Sequence, residues 1–389
     1  MCNCGPLDVI KFICQLQNMK LQKKILIYFE NSVRNIFFES FVEELIGKGH
    51  EVHMLTKCER GVLHNHIESL GAVTIAYSPK GPKAVQFFKH IKFLVIYSRK
   101  NKIDIIYSHL QLANLIALLA QYFIRAKVLP CRHHVDEVKI VGNKVAVQID
   151  KWVNRLSGKI IVVSKAAKEF MITREHLKPH KVMVIPLGYN FNRNYKPDFG
   201  KIESIRSQMR CNLLLIVISR MTKHKRHIIA LETLNRLVKE GFDVKMILLD
   251  QGGEKPNLEA YVQKNQLANK VLFAGFVNNI MDYASAAELL LLPSIIESSN
   301  QVVRELAHIG KTCIVCSGIG DFDEYIEHGK NGFLVSKENT ADEMFQIIKE
   351  YYNKKEELVQ MGAQLQEKVY SKFGIATVAD QYLMAAEPA

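Results

Sequence analysis

The feature that most constrains this chain is a rhythm: short β-forming runs alternate with helix-length segments, and the whole series occurs twice. In the first half the runs are "KILIYF", "EVHMLT", "AVTIAYS", "DIIYSH", "KVLPCRHH", "KIIVVS" and "KVMVIPLG". Strands separated by crossovers of this length pair in parallel, and a parallel sheet needs helices on both faces. The segment after the first run shows such a covering face. Phe37, Phe38, Phe41, Leu45 and Ile46 recur at three- and four-residue steps before Gly47 and Gly49 end it. A polar stretch from Tyr189 to Cys211 interrupts the rhythm, which restarts with "NLLLIVIS", "DVKMILLD", "KVLFAGF", "LLLLP" and "KTCIVCS". The fold class expected is therefore α/β, with two facing Rossmann-like domains whose parallel sheets are wrapped by helices. The boundaries expected are an extension over residues 1–22, a first domain over 23–190, a second over 191–370, and a carboxyl-terminal helix over 371–389 packing back toward the first. The length of 389 residues agrees, since one core seldom grows beyond about 250–300 residues.

Charge narrows the partners. Lys and Arg number 52 against 39 Asp and Glu, a formal net charge of +13, which calls for an anionic ligand or surface. Seven bases and no acid lie between Lys80 and Lys102 (Lys80, Lys83, Lys89, Lys92, Arg99, Lys100, Lys102), interleaved with Phe87, Phe88, Phe93, Leu94 and Ile96. Residues 80–102 thus suit a helix lying on an anionic membrane surface. The competing reading is an ordinary helix with Val85, Phe88, Ile91 and Val95 in the core. No nucleic-acid module accompanies the charge, so nucleic acid is not an expected partner. The longest apolar stretch, Leu112 to Ile124, has 13 residues, too few for a bilayer that takes about 20 in a helix. Residues 1–22 lack the basic start and small-residue cleavage site of a secretory leader. The expected location is cytoplasmic, peripheral on the inner face of the membrane. Cys313 and Cys316 form a C-x-x-C inside "KTCIVCSG". With no second Cys or His pair nearby, they read as strand core rather than a zinc or redox site.

In open α/β sheets ligands bind beyond the carboxyl ends of the strands. The first strand of the second series is followed by "SRMTKHKR", which puts Arg220 and Lys225 in one loop beside Lys223 and Arg226. A guanidinium and an ammonium there could neutralise charge on a departing diphosphate without a metal. After "LLLLP" comes "SIIESSNQVVRELAHIG", with Glu297 in a loop and Glu305 eight residues on. A helix starting near Ser299 would aim the amides of Ser299, Asn300 and Gln301 at an anion. The plainer alternative is a Ser298–Gln301 capping box with both glutamates exposed.

Taken together these motifs resemble the family 4 retaining glycosyltransferases of GT-B fold, and the resemblance covers nearly the whole chain. Arg220 and Lys225 have that family's R-x4-K spacing, Glu297 and Glu305 its E-x7-E spacing, and "KNGFLV" from Lys330 is similar to a stretch that follows. The resemblance implies that Arg220 and Lys225 bind the donor pyrophosphate, Glu297 contacts the donor sugar as a catalytic residue, and Glu305 binds ribose. It also implies that a histidine of "CRHHVDE" stands close to the transferred sugar. His133 is the choice, with His134 the competitor, because adjacent residues after a strand point opposite ways. His109, at another strand end, is a candidate acceptor contact. The family's glycine-rich loop is replaced here by "FENSVRN", where Asn31 and Ser32 are the candidates for its contacts. Gly252, Phe276 and Val277 are candidates for base or ribose contact.

The function implied is transfer of a sugar, with retention, from a nucleotide-diphosphate sugar to a hydroxyl of a glycan or lipid-linked acceptor in cell-surface polysaccharide or glycolipid assembly. A glycoside phosphorylase on the same fold, or a nucleotide- or sugar-binding protein without turnover, are the alternatives. No cofactor or essential metal is expected. The Asp321-x-Asp323 pair, of a kind that holds a divalent cation in GT-A transferases, reads as accidental.

Overall fold

The structure, a computed structural model, describes residues 22–135, 143–191, 197–277 and 279–387. The first series forms β1 (Lys24–Phe29), β2 (Glu51–Thr56), β3 (Val73–Ala76), β4 (Ile105–His109), β5 (Lys127–Arg132), β6 (Ile160–Val162) and β7 (Val182–Val184). Between them run α1 (Ile36–Gly47), α2 (Val62–Ser69), α3 (Lys83–Asn101), α4 (Gln111–Ala120), α5 (Lys144–Leu156) and α6 (Lys165–Thr173). The second series forms β8 (Leu213–Ile218), β9 (Val244–Leu249), β10 (Val271–Gly275), β11 (Leu289–Leu292), β12 (Thr312–Cys316) and β13 (Phe333–Val335). Its helices are α7 (Phe199–Gln208), α8 (His227–Lys239), α9 (Lys255–Lys264), α10 (Ile280–Ala286), α11 (Gln301–His308), α12 (Thr340–Tyr351), α13 (Lys355–Phe373) and α14 (Ile375–Ala385).

The strands build two sheets, ordered β3-β2-β1-β4-β5-β6-β7 and β10-β9-β8-β11-β12-β13. Both are parallel throughout the described pairings. The two-faced burial that a parallel sheet requires is visible in β1, where Ile25, Leu26, Ile27 and Tyr28 are all fully buried. β12 is buried likewise, so Cys313 and Cys316 are core residues as expected, and burial pushes the Cys313 thiol up to about 12. α1 covers the sheet with Phe37, Phe38, Phe41 and Leu45, and the Asn35 side chain caps its start by accepting from the Phe38 amide at 3.3 Å.

The core stripe suggested for residues 83–101 needs correction. α3 meets the sheet along His90, Leu94 and Ser98, whereas Val85 and Phe88 are 43% and 68% exposed. Tyr77 stacks on Phe93 at 4.1 Å and the Tyr28 hydroxyl lies 3.3 Å from His90 Nδ1, which fixes the helix rotation. Val85 and Phe88 then lie roughly 140° and 160° around the helix from His90. Among the described residues no helix is long and apolar enough to cross a membrane.

The chain passes from one sheet to the other twice, at adjacent points. The Tyr189 amide donates to the Phe373 carbonyl at 2.8 Å, and the Ile375 amide donates to the Tyr189 carbonyl at 3.0 Å. α14 then packs on α1, with the Tyr382 ring 4.8 Å from Phe41 and its carbonyl accepting from the Tyr107 hydroxyl at 2.7 Å.

Candidate active site

Each sheet has a switch point where strand order reverses, between β1 and β4 and between β8 and β11, and these are where an open α/β sheet leaves a crevice. At the second switch point the basic loop and the acidic loop meet. Lys225 Nζ donates to Glu297 Oε1 at 2.6 Å, with the side chains only 15% and 9% exposed. The Ile295 amide, bonded to the His224 carbonyl at 3.0 Å, ties the same two loops by backbone. Behind Glu297 stands Gly320, where an added Cβ would come within 3.1 Å of the glutamate's own Cβ. Arg220 is exposed at the strand end. Arg226 is spent elsewhere, donating to the Pro293 and Lys337 carbonyls and the Thr340 hydroxyl at 2.7, 3.0 and 2.8 Å.

α11 begins at Gln301, two residues later than expected, and Asn300 is its cap, accepting from the Val303 amide at 3.1 Å. The Ser298–Gln301 capping box does not form: the helix starts at Gln301 itself, which puts Asn300 at the cap, and Ser298 Oγ is buried without a hydrogen-bond partner. The first-turn amides of Gln301 and Val302 have no intrahelical acceptor and give the loop a positive end. Ser299 is bonded sideways, to Arg304 and Asp321. Glu305 lies in the second turn of α11, mostly withdrawn from solvent, and burial raises its carboxyl to about 7. Neither glutamate is a plain exposed surface group.

Next to Glu305 is a residue that motif reading passed over. Arg304 is fully buried, paired with Asp321, bonded to Ser299 Oγ at 2.7 Å, and its guanidinium lies 3.8 Å over the Phe373 ring. Tyr189 and Tyr325 complete the aromatic surround. One arginine therefore joins the acidic loop to both interdomain crossings. The signal available was an arginine placed between Val303 and Leu306 on an otherwise apolar helix face. Asp321 is taken by this pair, while Asp323 accepts from Ser317 Oγ and the Gly318 amide at 2.5 and 2.7 Å. The two carboxylates thus serve different partners. Among the described residues there is no group of three or more His, Cys, Asp or Glu able to hold a metal ion.

Gly252 is explained by packing. A Cβ there would stand 2.4 Å from the Met221 carbonyl oxygen, and the Met221 amide and carbonyl bond to Gln251 and Glu254 at 3.1 and 3.0 Å. The glycine lets the β9 turn brace the basic loop. Phe276 is exposed just past β10 and Val277 is half-buried beside it.

At the first switch point the loop without glycine is braced rather than open. The Ser32 carbonyl accepts from the Leu63 amide at 3.1 Å, Asn31 Oδ1 accepts from the Val33 amide at 3.3 Å, and Arg34 makes two bonds to Glu39 at 2.8 and 2.6 Å. Glu30, another residue the motifs did not flag, accepts from the Leu112 and Ala113 amides at 2.8 and 3.0 Å and so caps α4 from the end of β1. The two candidate histidines separate. His133 Nε2 lies 2.8 Å from Nδ1 of the buried His109, so one ring donates and the other accepts, and burial brings the His133 pKa down to about 4. His134 Nε2 lies 2.9 Å from Asp150 Oδ2. It is His134 that lines a cavity of about 600 Å³, with Glu30, Lys83, Gln111, Asn143 and Ile149.

The chain matches the family described as Glycosyltransferase Family 4 over residues 35–193 and that described as Glycosyl transferases group 1 over residues 207–368. N-acetyl-alpha-D-glucosaminyl L-malate synthase of Bacillus anthracis is 26% identical over 378 residues, covering 94% of this chain and 96% of its own. UDP-Gal:alpha-D-GlcNAc-diphosphoundecaprenol alpha-1,3-galactosyltransferase of Escherichia coli is 22% identical over 78% of this chain and 81% of its own. Among solved structures, Anabaena Alr3699/HepE in complex with UDP and glucose superposes with a TM-score of 0.79 at 20% identity, covering 94% of this chain and 99% of that one. Two parallel sheets, each with its own switch point and matched across most of the chain by two glycosyltransferase families, place this chain among the family 4, group 1 glycosyltransferases of GT-B fold.

Proposed function

We propose that this glycosyltransferase moves a hexose or N-acetylhexosamine, with retention, from a UDP-sugar to a hydroxyl of a lipid-linked or glycan acceptor in cell-surface polysaccharide or glycolipid assembly. The observation that carries the reading is the Lys225–Glu297 ion pair across the β8/β11 switch point, beside the positive end of α11. In the structure the two charges satisfy one another. A diphosphate arriving there exchanges partners with Glu297: Lys225, Arg220 and the Gln301 and Val302 amides take the phosphate oxygens, and Glu297 turns to sugar hydroxyls. Ser299 and Asn300 shape the loop that presents those amides. Glu305 accepts from the ribose diol, with Gly252, Phe276 and Val277 bordering the base side. As the bond from the anomeric carbon to the diphosphate breaks, negative charge grows on the departing oxygen, where the fixed cations and amides already stand. No metal is required by this arrangement.

His133, neutral and held by His109, faces the transferred sugar, while Glu30 and His134 border the acceptor cavity and Asn31 and Ser32 keep its rim in place. The exposed Val85, Phe88 and Ile96 among the bases of α3 support a peripheral seat on an anionic membrane. UDP in a solved relative and UDP-Gal in the name of another favour uridine as the base. The test is a thermal-shift and ligand-observed NMR panel of UDP-, GDP- and dTDP-sugars on the parent, Lys225→Ala and Glu305→Ala. UDP-sugars should bind the parent and bind both variants weakly. No binding to the parent, or unchanged binding to the variants, would remove the donor-site assignment.

A further inference from the structure

Sixteen large apolar side chains are exposed among the described residues, and seven of them belong to one layer of the first domain. They are Val85, Phe88 and Ile96 on α3, Tyr122 and Phe123 just beyond α4, and Val145 and Trp152 on α5. Single exposed hydrophobics are ordinary; a cluster on neighbouring elements marks a contact surface. α3 and α5 each pack on α4. On α5 the inward line is Ala146, Asp150 and Val153. Val145, Ile149 and Trp152 follow at steps of four and three and make a stripe, with Val145 70% and Trp152 54% exposed. Lys144, Lys151 and Arg155 flank that stripe in solvent. The one acid of the helix, Asp150, is buried and held by His134, and α3 has none.

An apolar face whose exposed charges on α3 and α5 are all basic fits an anionic bilayer better than a protein. A bilayer receives apolar side chains among its acyl chains and cations among its headgroups without demanding a complementary shape, and an indole sits well at that boundary. The placement of the cavity adds a functional sense. One wall is Lys83, the first residue of α3, and another is Asn143, Val145 and Ile149 at the start of α5.

We propose that α5 is a second membrane-seating helix, which inserts Val145 and Trp152 into an anionic lipid surface so that α3 and α5 straddle the mouth of the acceptor cavity. The acceptor class that follows is an amphiphile whose headgroup enters the cavity from the bilayer plane. This rests on the lipid-linked acceptor and α3 attachment proposed above, and adds a separate claim about α5.

Trp152 is the only tryptophan of the chain, so the intact protein carries its own reporter. Co-sedimentation with phosphatidylglycerol-containing and pure phosphatidylcholine vesicles at low salt, read together with Trp emission and acrylamide quenching, tests the proposal. The expected result is retention on anionic vesicles alone, a blue-shifted emission and loss of quenching. Lys151→Gln with Arg155→Gln should weaken retention about 25-fold, at about fivefold per charge. Retention with Trp152 still red-emitting and quenchable would overturn the α5 seat and leave α3 attachment standing. Absence of retention would overturn both, and equal retention on neutral vesicles would overturn the charge argument.

Discussion

Glu305→Gln should make this enzyme a more stable protein and a poorer binder of its donor. Burial holds the Glu305 carboxyl at about 7, against 4.5 for an ordinary glutamate. That gap, at ~1.4 kcal/mol for each pH unit it spans, caps the cost of keeping this charge in the folded chain at ~3.5 kcal/mol. The side chain keeps some contact with solvent, so ~1–3 kcal/mol is the working range. The sign follows from which form the fold prefers. Because the folded pKa lies above the unfolded one, the native state favours the protonated group. Its stability contribution is intact below pH 4.5, declines as pH rises, and is gone above pH 7. Gln keeps the shape without the charge, so urea denaturation without ligand should show a gain of ~1–3 kcal/mol at pH 8 and under ~1 kcal/mol at pH 5. Calorimetric titration with UDP should show the opposite, a loss of about 10- to 100-fold, since a bond to a charged acceptor contributes ~1.5–3 kcal/mol. Equal or lower stability at pH 8, or the same gain at both pH values, would refute the burial argument. Unchanged UDP affinity would refute the ribose role.

The same group should set the acid limb of donor binding: affinity for UDP-glucose, whose pyrophosphate does not titrate near neutrality, should fall in the parent as pH drops below about 7, and this dependence should vanish in Glu305→Gln. A limb that persists in the variant would point to another residue, though not to His133, whose pKa of about 4 keeps it neutral there. Arg304→Met should cost ~3–5 kcal/mol in urea denaturation by leaving Asp321 buried and unpaired, and adding Asp321→Asn should recover most of that; no recovery would mean that the ring packing of Arg304 is what matters. Gly252→Ala should raise KM for the donor more than it lowers kcat, because its Cβ would meet the Met221 carbonyl at 2.4 Å and displace the basic loop. Unaltered kinetics would show that the loop yields freely.

The two-domain α/β fold was legible in the sequence because its signals are local. Alternating β-forming runs and helical stripes are properties of neighbours along the chain, and α1 has the face that Phe37, Phe38, Phe41 and Leu45 foretold. The four candidate positions Arg220, Lys225, Glu297 and Glu305 were nameable for a related reason: chemistry in such sheets gathers where a strand passes into a helix, and R-x4-K and E-x7-E are each spacings within one such passage, the second running from a loop into α11. What lay beyond the sequence was everything set by partners from elsewhere in the chain. Which face of α3 turned inward depended on Tyr28 and Tyr77, so Val85 and Phe88 came out exposed. That His133 meets His109 while His134 meets Asp150 depended on how β4, β5 and α5 stack. Arg304 drew no notice in the sequence and Asp321 read as half of an accidental metal-type pair, because they lie on different elements and meet only in the fold. Periodicity tells a side chain which way to point along its own element, but a buried charge is decided only by what the tertiary fold brings to meet it.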